Sequence, residues 1–217
     1  MRNKYIRLAV VLMVISAVAS GLLAWVNAFT EPKIAAYRAL AEAQAYRKVL
    51  PQAATFKSIP AGQLVKVRAT AATSGIEDVK VGTKAGRIIG WVCKAASYGY
   101  SSDIKLLVGI GKNAKLTGLE VLELNETPGL GMEVTGGEFI GQPAFKNANP
   151  QQDLQVNKDG GQVQAVAGAT ISSRAVVRDI NQAFGFFRSQ EAGQDQTVDR
   201  DAAAITDATS RKQDAKK

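Results

Sequence analysis

Thr170 is the residue of this 217-residue chain whose type and setting point most directly to chemistry. It lies in Gly168-Ala169-Thr170-Ile171-Ser172-Ser173, where small residues precede a segment of helical period. Val176, Ile180, Ala183, Phe184 and Phe187 recur at steps of three and four, and Arg174, Arg178, Asp179, Gln182 and Arg188 lie largely between them. The pattern predicts a helix that opens at Thr170, with the threonine at the N-cap. The first turn of a helix presents free backbone N–H groups and the positive end of the dipole, which together favour an anion such as phosphate. A hydroxyl at that mouth has three uses: it caps the helix, it hydrogen-bonds a phosphate, or it is esterified by one. Ser172 and Ser173 would add hydroxyl donors beside it.

The composition removes much competing chemistry. Histidine is absent, so there is no Ser-His-Asp or Cys-His nucleophile system and no His-ligated zinc or haem. Demanding redox or group-transfer steps would have to come from an imported cofactor. Cys93 is the one cysteine, and its neighbours Trp91 and Val92 read as buried strand, so a packed thiol is expected. The net charge of +8 invites a nucleic-acid partner, but its distribution argues for none. Arg2, Lys4 and Arg7 flank an apolar run, residues 37–94 are basic, residues 103–159 are net acidic, and no basic run alternates with aromatic residues. The basic residues suit a membrane lipid surface, a partner subunit or solubility.

The elements that would position Thr170 follow from the rest of the chain. Leu8 to Ala28 is uncharged over about 21 residues, enough for a helix to cross a hydrocarbon core of about 30 Å. Trp25 and Asn27 near its end suit an interface, and the basic residues ahead of it predict a cytoplasmic N-terminus with everything after Ala28 exported. Val26-Asn27-Ala28 also resembles a cleavage site, yet the run exceeds a usual signal-peptide core, which favours a retained anchor. The expected divisions are 1–7 cytoplasmic, 8–28 transmembrane, 29–57 a helical stalk, 58–189 the main domain, and 190–217 a disordered polar tail. Pro32 predicts a break, Ile34 to Leu50 a helix, and Pro51 its end. Leu64 to Ala69 and Arg87 to Ala95 read as strands, and Ile104–Ile110 with Leu116–Leu124 as an antiparallel hairpin. Glu126 to Gly141 holds five glycines and a proline and reads as a functional loop. A second hairpin, Leu154–Lys158 with Gln162–Val166 around Asp159-Gly160-Gly161, is expected to lead into Thr170.

Three separated stretches carry a resemblance: Gly99-Tyr100-Ser101-Ser102-Asp103-Ile104-Lys105-Leu106-Leu107-Val108-Gly109-Ile110, Glu126-Thr127-Pro128-Gly129-Leu130-Gly131, and Ala167-Gly168-Ala169-Thr170-Ile171-Ser172-Ser173-Arg174-Ala175-Val176. In order and spacing they resemble the covalent FMN-binding domains of bacterial membrane redox complexes. With an anchor ahead of the domain, the chain is most similar to the G subunits of Rnf (Rsx) ion-translocating electron-transport complexes. The C subunits of sodium-pumping NADH:quinone reductases are the alternative within the family. The resemblance implies an α+β fold: a transmembrane helix, then an FMN-binding domain with antiparallel hairpins and flanking helices. It implies FMN joined through its phosphate to Thr170 by a flavin transferase, and a domain on the periplasmic side of the inner (cytoplasmic) membrane. The other subunits of an electron-transport complex would be its partners. The chain would relay electrons within that ion-translocating complex, with no substrate turnover of its own.

By the same resemblance Gly168, Ala169, Ser172 and Ser173 would surround the phosphate, and Glu126, Thr127, Gly129, Leu130 and Tyr100 would approach the isoalloxazine or ribityl chain. From the residues alone, Glu126 is equally a solvated surface carboxylate and Tyr100 equally a packing residue at a strand edge. The chain departs from the family pattern at Gln164, where an acid is usual, and at Ala167, where serine or threonine is usual. Ser101 and Ser102 stand where glycines are common, and no histidine precedes Glu126. These departures keep open a second reading, an unflavinylated anchored scaffold or a reversible binder of a phosphorylated ligand.

Overall fold

The computed structural model describes residues 2–191, so all but the first two residues of the expected polar tail lie outside them. The chain forms two compact units, Met1–Gln44 and Ala45–Lys217. Helix α1, Arg2–Val49, contributes to both. In the first unit Leu8, Leu12, Leu22, Leu23 and Phe29 are all exposed. Apolar surface of that extent is stable against hydrocarbon rather than water. Among the described residues α1 is the one helix long and apolar enough to cross a membrane.

The break expected at Pro32 does not occur, since α1 runs through it. Proline removes one i→i−4 hydrogen bond, and residues on either side that favour the helix can carry it past that loss. The Thr30 hydroxyl also donates back to the Val26 and Asn27 carbonyls at 3.0 and 3.3 Å.

The second unit is built on a five-stranded antiparallel meander in which every strand pairs with its sequence neighbours. The strands are β1 (Thr55–Ser58), β2 (Ile76–Lys84), β3 (Arg87–Tyr98), β4 (Asp103–Gly111) and β5 (Leu116–Glu123). β3 and the β4–β5 hairpin bear out the expected strands. β1 adds an edge strand that crosses the expected boundary at 57/58, with three of its four residues ahead of the expected start of the domain.

Leu64 to Ala69 is not a strand. All but its last residue falls in α2, Ala61–Arg68, with Ala69 as the C-cap; Leu64 and Val67 pack on the core while Val65 is exposed. The spacing of three identifies a helix, and Pro60 ahead of the first turn suits one.

Each face of the sheet is covered by a different helix. On one face lies α5, a helix over 170–191, whose Val176, Ile180, Ala183, Phe184 and Phe187 are buried with Cys93, Leu106 and Val108. Trp91 meets Phe187 edge-on, 5.7 Å between ring centres. Two short helices, α3 (Gly137–Ile140) and α4 (Pro143–Lys146), close the end of this core through the Phe139–Phe145 pair. On the other face the last residues of α1 lie over paired glycines of β4 and β5, Gly109 and Gly118. A Cβ on Gly109 would fall 2.3 Å from the Val49 carbonyl oxygen, and one on Gly118 would fall 2.8 Å from Val49 Cα. The Thr117 hydroxyl donates to that carbonyl at 2.5 Å, supplying a partner the helix end lacks.

The second expected hairpin is also absent. Residues 154–166 fold back through a 3-10 turn at Asn157–Asp159 and one isolated parallel bridge, Val156 with Val163. The Asn157 side chain takes the place of a ladder, donating to Gln164 Oε1 at 2.9 Å and accepting from the Ala165 N–H at 3.2 Å. Gly161 permits the reversal, because any Cβ there would collide with the Gln155 backbone.

Candidate functional site

The chain enters α5 through a tight turn. Ala169 N–H donates to the Val166 carbonyl at 3.0 Å, and Gly168 between them has φ +75°. A positive φ at the third residue of a type II turn is the reason for glycine there. The Ala169 carbonyl then accepts the first helical bond, from Ser173 N–H at 3.0 Å, so Ala169 is the N-cap and Thr170 the first helical residue. This corrects the expectation that Thr170 caps the helix by one position. Among the described residues the Thr170 hydroxyl makes no hydrogen bond, and the N–H groups of Thr170, Ile171 and Ser172 have no backbone acceptor. Ser173 is used within the turn: its hydroxyl donates to the Ala169 carbonyl and accepts from Val166 N–H, both at 3.0 Å.

Glu126 joins the three stretches singled out in the sequence. Its side chain is buried, at 5% exposure. Oε1 accepts from the backbone N–H groups of Tyr100, Ser101 and Ser102 at 2.9, 3.0 and 3.4 Å, and Oε2 accepts from the Ser172 hydroxyl at 3.1 Å. Gly99 and Gly131 make the slot, since a Cβ on either would lie 2.4 or 2.6 Å from a carboxylate oxygen. The solvated alternative for Glu126 is therefore wrong. Its oxygens face the β3–β4 turn and α5, and it acts as a tie between loop, turn and helix.

Above this tie is a cavity of about 520 Å³, lined by Tyr100, Glu126, Thr127, Leu130, Gly131, Gly168, Ala169, Thr170, Ile171 and Ser172. The size suits a cofactor. Eight of the ten expected site residues line it. Gly129 does not, serving instead at φ +72° in the turn beside it, and neither does Ser173. Gly131 and Ile171 line the cavity but were missing from the expected set. Gly131 belonged to the quoted glycine-rich stretch and could have been included on that ground. Tyr100, Leu130 and Ile171 are exposed, so the cavity opens at the surface between apolar side chains. Among the described residues no Lys or Arg lines it, and the helix N–H groups form the positive end of the site.

A second cavity of about 640 Å³ lies against the same turn, with Glu133, Glu138, Gln142, Gln164 and Ala167 in its wall. Gln142 holds this segment by accepting from Gln164 N–H at 2.7 Å and donating to the Gln164 carbonyl at 2.9 Å. Asp159 and Arg174 form a two-bond ion pair at 2.6 and 2.8 Å between the 157–161 loop and the first turns of α5. Hydrogen bonding to Arg174 holds the Asp159 carboxyl below its ordinary range. Cys93 is fully buried and burial pushes its thiol far up, so it is the packed, inert cysteine expected.

A family model described as the FMN-binding domain matches residues 99–185, and one described as the RnfG N-terminal region matches residues 1–49. The G subunit of the ion-translocating oxidoreductase complex of Methanosarcina acetivorans is 36% identical over 186 residues, covering 85% of this chain and 95% of that protein. The chain belongs to the family of G subunits of ion-translocating oxidoreductase complexes. Another relative in this family, the G subunit of the Na+-translocating ferredoxin:NAD+ oxidoreductase complex of Acetobacterium woodii, is 31% identical over 84% of this chain and 91% of its own length. Among solved structures, NqrC of Shewanella oneidensis matches at 25% identity and a TM-score of 0.44, over 53% of this chain and 61% of that one. In this member of the family the FMN-binding match begins at Gly99, in the slot around Glu126, and includes Thr170.

Proposed function

We propose that this chain is a membrane-anchored flavoprotein subunit that carries FMN as a phosphoester on Thr170 and relays electrons within an Rnf-type ion-translocating complex. The observation that carries the reading is the state of Thr170. It stands in the first turn of α5 at a cofactor-sized cavity, with no capping duty and free N–H groups beside it. Membership of the G-subunit family and the FMN-binding match over the same residues support it.

The residues present fit a flavin phosphate. The N–H groups of residues 170–172 would meet the negative phosphate, and Oγ of Thr170 would be its ester oxygen. Tyr100, Leu130 and Ile171 would shield the ring while leaving an edge accessible to a redox partner. Glu126 would hold these walls in register without itself binding the cofactor. The flavin supplies the electron chemistry when bound. A flavin transferase would attach it, and the domain would face the periplasm, with other complex subunits and lipid as neighbours.

Co-expression with a flavin transferase, followed by denaturing electrophoresis, tests the attachment. The parent band should fluoresce and the Thr170→Ala band should be dark. A fluorescent Thr170→Ala band would remove the assignment. Gln164 favours a second reading: its side chain is bonded to Asn157 in the neighbouring cavity wall and offers no carboxylate there. A dark parent band, with the transferase active on another substrate, would make the chain a scaffold or reversible ligand binder.

A further inference from the structure

Two residues that the helical pattern placed among the polar positions of α5, Asp179 and Gln182, are buried against the sheet. Asp179 has no exposed surface, and Gln182 is 7% exposed. Gln182 Nε2 donates to the Ser97 hydroxyl of β3 at 3.1 Å and lies 3.5 Å from Asp179 Oδ1. The amide packs directly on Gly75, where a Cβ would sit 2.6 Å from Gln182 Oε1. Among the described residues, two oxygens of this cluster, Asp179 Oδ2 and Gln182 Oε1, are buried with no donor. Both are acceptors when the acid is ionised. An ionised carboxylate would therefore leave two unmatched acceptors and a negative charge in the core, a costly arrangement. One proton on Oδ2 converts it to a donor and removes the charge.

We propose that the Ser97–Asp179–Gln182 cluster is a proton-binding site, in which Asp179 is held as the neutral acid and donates to Gln182, so that α5 docks on the sheet most tightly when the site is protonated. The surrounding charges agree. Glu77 of β2 and Asp103 of β4 act against ionisation, and among the charged groups of the described residues Arg178, exposed on α5 itself, favours it. Glu77 meets Lys94 and Lys105 at 3.8 and 4.0 Å, and Arg68 of α2 donates to the Ile76 and Glu77 carbonyls, so these cations are directed elsewhere. Burial first, then these acids, raise the Asp179 carboxyl to about 7, although the Ser97 hydrogen bond opposes the shift. A folded-state value above the unfolded one means that the stabilisation is complete below about pH 4 and is lost as pH rises through about 7.

The test uses the full-length chain in detergent, with thermal unfolding followed between pH 5.5 and 8.5. The parent's folding equilibrium should weaken with pH, by up to roughly tenfold per pH unit below the transition. Asp179→Asn, whose amide donates to Gln182 without titrating, should lack that component and equal or exceed the parent at pH 8.5. Infrared spectra of the parent at pH 5.5 should contain a protonated-carboxyl band that diminishes at pH 8.5. That measurement decides the matter if Asp179→Asn fails to fold. A parent midpoint independent of pH, an Asp179→Asn midpoint falling with the parent's slope, or absence of the titrating band would each overturn the proposal.

Discussion

Glu126 shows how much of this site depends on one side chain. Its four hydrogen bonds reach backbone and side-chain donors from 24 to 46 residues away in sequence. Replacement by alanine leaves three part-buried N–H groups and the buried Ser172 hydroxyl without their acceptor. Glu126→Ala should lower stability by about 3 kcal/mol or more, because hydrogen bonds to charged groups contribute more than neutral ones and buried donors are costly when orphaned. Glu126→Gln keeps an oxygen for the turn and can donate to Ser172, so it should cost about 1 kcal/mol. Denaturant unfolding of both variants checks the order. Equal losses, or a Glu126→Ala variant as stable as the parent, would show that the tie is unimportant. The exposed residues at the cavity mouth, Tyr100 and Leu130, should matter little in the same assay.

At the scale of elements, the seat of α1 on the sheet is the most sensitive joint. Gly109→Ala would bring a methyl group 2.3 Å from the Val49 carbonyl oxygen and 2.6 Å from Thr117 Oγ1. Backbone must move to accept it, and overpacking of this kind costs about 1–3 kcal/mol. A lowered unfolding midpoint in Gly109→Ala, with Gly62→Ala unchanged as an open-space control, is the expected result. An unaffected Gly109→Ala would mean that α1 does not rest there. The strands β3, β4 and β5 and helix α5 were legible in the sequence because each carries a long, regular apolar period that survives packing. Leu64–Ala69 misled because so short a stretch of α2 satisfies an alternating pattern as well as a spacing of three. The 154–166 segment was illegible as a loop, since Asn157 and Gly161 replace a ladder by contacts that no periodicity records. The same holds at the site. Thr170 could be read from its local pattern and the cavity walls from the family resemblance of three stretches, whereas the burial of Glu126 and Asp179 depends on partners distant in sequence.

At the scale of the whole molecule, anchoring and redox function meet in one chain: an exposed apolar helix and a domain with a surface-opening cavity. The basic residues before Leu8 predict that the N-terminus stays in the cytoplasm and the domain is exported. Cys93 is buried, so the parent should be silent to a membrane-impermeant maleimide on intact cells, making it a ready background. Lys112→Cys should label from outside, and Lys4→Cys only after permeabilisation; the reverse pattern would invert the topology. The most direct test of the central claim is peptide mass spectrometry of the protein matured with its flavin transferase. Trypsin should release residues 159–174, which contain Thr170 as their sole threonine together with Ser172 and Ser173. The expected product is a peptide heavier by FMN less water, with the added mass on fragments that include Thr170 and on none that begin after it. An unmodified peptide from fluorescent protein, or added mass confined to Ser172 or Ser173, would contradict it.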